Sequence, residues 1–222
     1  MTTERRASLT AGVLFVAATV TALAAAAVVP PLSTPAELAA AAGERSRIAT
    51  ATLLYLISAG TGAGIAVAFY PVLRGSAPGL ALGAVLARSL EAGLYVVAAV
   101  SLLAVTGLAG GRGAGGNEVV AIRDAANLAG VCAFVVGAGL YYVVFYRHRL
   151  LPRWLSGWGL AGVVLMAAAC LDSLFTGQVI TTQTVLIVPI AVQEMVLAVW
   201  LLTRGLARVS TSAELETEVV AP

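Results

Sequence analysis

Lysine is absent from the 222 residues, and all 13 basic residues are arginine. Charge of either sign is scarce, at 11% of the chain against roughly 25% in an ordinary soluble domain. So few charges do not coat a water-facing globule of this size. The formal net charge of +2 is too small to attract a nucleic-acid partner. Histidine occurs once, as His148, and cysteine twice, as Cys132 and Cys170, each inside an apolar stretch. Two separated cysteines exclude a disulfide scaffold, and with a single histidine they do not assemble a Cys/His zinc site. A histidine confined to a charged loop leaves no Ser-His-acid triad. Gly60-Thr61-Gly62-Ala63-Gly64 resembles a phosphate loop only in composition, because it lies within an apolar helix pattern with no strand before it. No catalytic residue, cofactor or metal is therefore expected.

Apolar residues are plentiful, at 60% of the chain with a mean hydropathy of +0.96. They fall into six runs: Ser8–Val29, Ile48–Leu73, Leu80–Thr106, Ala121–Tyr146, Leu155–Phe175 and Thr184–Leu202. Each is close to or above the length of about 20 residues that crosses a hydrocarbon core at about 1.5 Å per residue. The expected fold is all-α, an integral membrane bundle of six transmembrane helices. Residues 1–208 form one domain, and 209–222, with Glu214, Glu216 and Glu218, read as a disordered acidic tail. The first run is longer than the roughly 7–15 residues of a signal-peptide core and is stopped by Pro30-Pro31, which favours a retained helix.

Arginine is distributed unevenly between the loops. With the N-terminus inside, Arg5, Arg6, Arg74, Arg147, Arg149, Arg153, Arg204 and Arg208 are cytoplasmic, whereas Arg45, Arg47, Arg112 and Arg123 are outside. The positive-inside rule then places both termini in the cytoplasm of a prokaryotic inner membrane. Outside, Thr34-Pro35-Ala36-Glu37 has the pattern of a capping box with proline at the first helical position, which predicts a short surface helix ending near Gly43. Gly107–Gly116 reads as a glycine-rich mobile loop. Inside, Arg147, Arg149, Arg153, Trp154 and Trp158 have the makings of an interfacial anchor. The lipid bilayer is the expected partner there, its anionic headgroups included.

Charges within the spans carry the most information, since one at mid-bilayer costs at least ~2.5–3.5 kcal/mol and must look inward. Helix rise puts Arg88 about 12 Å deep, Glu91 about 17 Å and Glu194 about 15 Å from either surface, so the three share one layer. Arg88, Glu91 and Tyr95, at i, i+3 and i+7, lie on one helix face. Asn127 and Gln193 reach a similar level, Asp124 enters from outside, and Asp172 lies nearer the outer surface. Arg88 neutralises only one carboxylate, so Glu91 or Glu194 is left as a candidate to hold a proton. The cluster reads first as a structural or interaction clamp. The alternatives are a small-solute or proton-coupled transporter using Glu91 and Glu194, and a binder of an anionic lipid-like ligand. Gly60 and Gly64 form a small-xxx-small face for close packing, and Pro189 is expected to kink the last span just before Glu194.

Five segments carry a family resemblance. They are Ala68-Phe69-Tyr70-Pro71-Val72-Leu73-Arg74, Gly79-Leu80-Ala81-Leu82-Gly83, Arg88-Ser89-Leu90-Glu91-Ala92-Gly93-Leu94-Tyr95, Arg149–Gly159 with its Leu-Leu-Pro-Arg-Trp core, and Pro189-Ile190-Ala191-Val192-Gln193-Glu194-Met195. In this order, over about Ala7 to Arg204, the chain resembles the prokaryotic membrane family called domain of unknown function 4386. The resemblance implies a multi-pass membrane protein of about this length. It adds weight to Arg88, Glu91, Pro152, Trp154 and Glu194, and it implies no activity.

Overall fold

The computed structural model describes residues 2–108 and 115–207. Most of the glycine-rich loop and the whole acidic tail lie outside the described residues. Helices α1 (Thr3–Val28), α3 (Arg45–Leu73), α4 (Pro78–Leu108), α5 (Gly116–Arg147), α6 (Arg153–Thr176) and α7 (Thr184–Thr203) are the long elements, and α2 (Pro35–Gly43) is the short one. The six long helices are each apolar and long enough to cross a bilayer. Several run past their apolar stretch at a polar end, α3 beginning at Arg45 and α5 at Gly116, because backbone hydrogen bonding continues into the headgroup zone where charge is tolerated. In α2, Thr34 and Glu37 complete both halves of the capping box.

The long helices form a closed ring. Each packs against its neighbour in the chain, and α1 closes the circle against α7. The closure has a definite chemistry. Arg5 donates to the carbonyls of Leu201 and Leu202 at 3.4 and 3.0 Å, satisfying acceptors left over at a helix C-terminus. Beyond α7, Gly205 takes a left-handed φ of 78°, turning the chain so that the Leu206 amide donates to Ser8 Oγ at 2.9 Å and the Ala207 amide to the Leu150 carbonyl at 2.9 Å. Both ends of the described chain, Thr2 and Ala207, therefore lie on one face, called here the terminal face. The far face carries α2 and a 3₁₀ turn at Ile180–Thr182.

The two halves of the ring interior differ. Toward the terminal face it is filled by Phe15 of α1, Phe69 of α3, and Tyr141, Tyr142 and Phe145 of α5, all fully buried. Phe69 and Phe145 meet edge to face with centroids 5.0 Å apart, and Tyr141 and Tyr142 lie 4.7 Å apart. Outward-facing residues such as Leu86, Leu90, Val20, Leu23 and Val185 are exposed and apolar, as lipid contact requires. In α4 the inward face is small and polar over most of its length, with Ala81, Ala84, Arg88, Glu91, Ala98 and Ala99, and ends on Leu102 and Val105.

Candidate functional site

Arg88 and Glu91 are 4% and 5% exposed, buried within the bundle. By helix rise, Arg88, Gly62, Gly137 and Glu194 all lie about 15 Å from the terminal-face ends of their helices, so they form one layer. The guanidinium of Arg88 reaches across to α3, where Nε and Nη2 donate to the Gly62 carbonyl at 3.3 and 3.2 Å. Nη1 lies 2.8 Å from Glu91 Oε2, a contact held by charge and outside hydrogen-bond alignment. The guanidinium carbon sits 4.8 Å from the centre of the Phe134 ring on α5, a cation–π arrangement. One side chain thus ties α4 to both of its neighbours.

Two glycines make room for it. A Cβ at Gly62 would stand 3.1 Å from Arg88 Nη2, and one at Gly137 would stand 2.8 Å from Arg88 Cγ. Neither glycine, nor Phe134, is picked out as a site residue by sequence reasoning. Gly62 sits in the middle of the conspicuous Gly60–Gly64 segment, but its partner is 26 residues away. The expected packing pair Gly60 and Gly64 is corrected in part. A Cβ at Gly64 would meet Leu14 of α1 at 3.1 Å, whereas one at Gly60 meets nothing within 4 Å, so α1 lies against one end of that face only.

Glu194 stands apart from the clamp. It makes no ion pair within 4.0 Å among the described residues, and its Oε1 is buried with no hydrogen-bond partner, as is the hydroxyl of Tyr141. Gln193, the next residue along α7, points elsewhere. It accepts from Tyr142 Oη at 2.6 Å and donates to the Leu155 carbonyl at 3.1 Å, joining α5, α6 and α7.

Above the layer the ring encloses a vestibule of about 480 Å³ on the far-face side. Its polar lining is Tyr55 and Ser58 of α3, Tyr95 of α4, Arg123, Asp124 and Asn127 of α5, and Thr181 of the 3₁₀ turn. Tyr95 lies one turn from Glu91 along α4, so the vestibule reaches down toward the ion pair. The Tyr95 ring lies close over α5, where a Cβ at Gly130 would fall 2.8 Å from its Cδ1. Arg123 and Asp124 pair with each other at 2.8 Å.

Asp172 is not part of this site. The phase of α6 turns Ser173 inward and Asp172 outward, where it is exposed and accepts from the Gln183 amide. The anchor residues gather at the terminal face. Arg147, Arg149 and Trp154 are exposed there, and Trp158 is half-buried. Arg153 lies 5.8 Å from the Tyr146 ring, and Trp154 meets Trp200 edge to face at 6.3 Å. Among the described residues no three His, Cys, Asp or Glu side chains are grouped to hold a metal ion.

The sequence profile of the family described as "Domain of unknown function (DUF4386)" matches residues 10–205, and so takes in α1, the clamp, the vestibule and α7 alike. The chain belongs to the DUF4386 family. No curated protein and no solved structure matches it.

Proposed function

We propose that this DUF4386 protein is a proton-coupled carrier of a small solute in the cell membrane of a prokaryote, with Glu194 as the coupling acid. The observation that carries this is the buried Oε1 of Glu194, which has no partner. A bundle that used its intramembrane charges only to hold helices together would have no need of a second acid in the layer where Arg88 already has Glu91. Each such charge is costly, and the unpaired ones characteristically belong to proton and substrate pathways. Arg88 and Glu91 keep the clamp role, since every edge of the guanidinium is engaged.

The two halves of the interior support the same reading. A vestibule gives access from the far face, and Phe69, Tyr141, Tyr142 and Phe145 close the terminal side, as in one arm of an alternating-access cycle. The excess of arginine at the terminal face supports a cytoplasmic location for both termini, with Arg147, Arg149, Arg153, Trp154 and Trp158 anchoring on anionic headgroups.

Proteoliposomes loaded with a pH-sensitive dye test the coupling. Without solute the assay reads the slow proton leak through the unloaded carrier's acid: wild-type protein is expected to dissipate an imposed pH gradient faster than protein-free vesicles, and Glu194→Gln to return to the protein-free rate. Equal rates for wild type and Glu194→Gln would overturn it.

A further inference from the structure

The vestibule has a chemical character that narrows what it holds. Its only charged pair, Arg123 and Asp124, is self-neutralised at 2.8 Å, so the lining presents no net charge to a ligand. Much of the remaining wall is small and apolar: Ala22 and Ala26 of α1, Ala98, Ala99 and Leu102 of α4, and Val131 of α5. Four polar side chains line this apolar space, Tyr55, Tyr95, Asn127 and Thr181, and none of them makes a hydrogen bond among the described residues. Such a site selects against ions. It favours a mostly apolar molecule with one or two uncharged hydrogen-bonding groups.

The ring also has a seam. The polar and close-packed contacts that join α1 to α7 run from Arg5 through Ser8 to Gly12, where a Cβ would meet Leu202 and Ala198, and all lie in the terminal half. Toward the far face, Val20 and Leu23 of α1 and Val185 and Val188 of α7 are exposed. The vestibule wall passes from Ala22 and Ala26 to Val179–Thr181 with no residue of α7 between them.

We propose that the vestibule binds a neutral amphiphile drawn sideways from the far-face leaflet between α1 and α7. Its hydroxyl-bearing head meets Tyr55, Tyr95 and Asn127, and its chain lies along the alanine wall. The proposal rests on the vestibule being the carrier's ligand site and replaces an anionic lipid-like ligand by an uncharged one. It does not depend on Glu194.

The test uses a monoacylglycerol with a photoreactive diazirine in its chain, added to the full chain in zwitterionic lipid nanodiscs, with labelled residues mapped by peptide mass spectrometry. Label is expected on Ala98–Leu102 and Asn127–Val131. It should be displaced by unlabelled monoacylglycerol but not by a fatty acid or alkylamine of equal chain length, nor by glycerol. Ala22→Phe, which narrows the seam, and Asn127→Leu, which removes a head contact, should each cut that label about tenfold. Label on lipid-facing Val20 and Leu23 should stay constant, which shows that the variants are folded. Label confined to the lipid-facing residues, or equal displacement by the fatty acid, overturns the proposal. A Glu194→Gln protein that still takes the label, in a bundle that moves no protons, would remove the coupling and leave the ligand class standing.

Discussion

Arg88 is committed on every edge, to the Gly62 carbonyl, to Glu91 and to the face of Phe134. Arg88→Ala strands a buried carboxylate and is expected to lower stability by about 3–5 kcal/mol. Removing both charges, as Arg88→Met with Glu91→Leu, should melt well above Arg88→Ala, because an unpaired buried charge costs more than an absent pair. Thermal melting in detergent reads both, and a double variant no better than the single would mean that charge does not hold the clamp. Lysine is a poor substitute, since it lacks the planar fork that reaches a carbonyl and a carboxylate at once. Tyr142→Phe leaves Gln193 Oε1 buried without its donor and should cost about 1–3 kcal/mol in the same assay. The inward charges were legible from sequence, because a charge inside an apolar run has few places to go. Their partners were not. The Gly62 carbonyl is a backbone group with no residue-type signature, and whether Glu194 shares Arg88 depends on how far α7 stands from α4.

Among the elements, α3 gives the sharpest contrast. Gly60 faces open space in mid-helix, so Gly60→Ala should stabilise by about 0.5–1 kcal/mol through backbone entropy alone. Two residues on, Gly62→Ala pushes a methyl toward the Arg88 guanidinium and should destabilise. Comparing the two melting shifts separates helix propensity from clamp packing, and shifts of the same sign would contradict this placement of α3. Gly205 has a similar role at the end of α7. Gly205→Val forces a β-branched residue to a φ of 78° and should loosen the contact of α1 with α7 by at least about 1–2 kcal/mol. The spans and the capping box at Thr34 and Glu37 were readable because length, hydropathy and capping are local properties. The pairing of α1 with α7 joins residues almost 200 positions apart and leaves no local trace.

For the whole molecule, the even number of apolar helices and the Arg5 and Ser8 contacts put both ends of the described chain on one face, and the proposed orientation has that face in the cytoplasm. In a background with Cys132 and Cys170 replaced by alanine, a cysteine at Ser33 should react with a membrane-impermeant maleimide in intact cells. One at Gly75 or His148, both exposed, should react only after the cells are opened. The reverse pattern would invert the bundle and turn the vestibule toward the cytoplasm. Architecture was the most legible level, because hydropathy nearly dictates it. The ring was not, since six apolar helices are compatible with many arrangements.

The hook at Gly205–Ala207 also bears on the order of biosynthesis. Because α1 completes its packing only against α7, a bundle synthesised from α1 onward is an open horseshoe whose α1 edge waits for α7. Until then the groove that becomes the vestibule is open to lipid along its full height, and an amphiphile could be enclosed during assembly. Protein purified from cells is then expected to carry amphiphile enclosed during its synthesis.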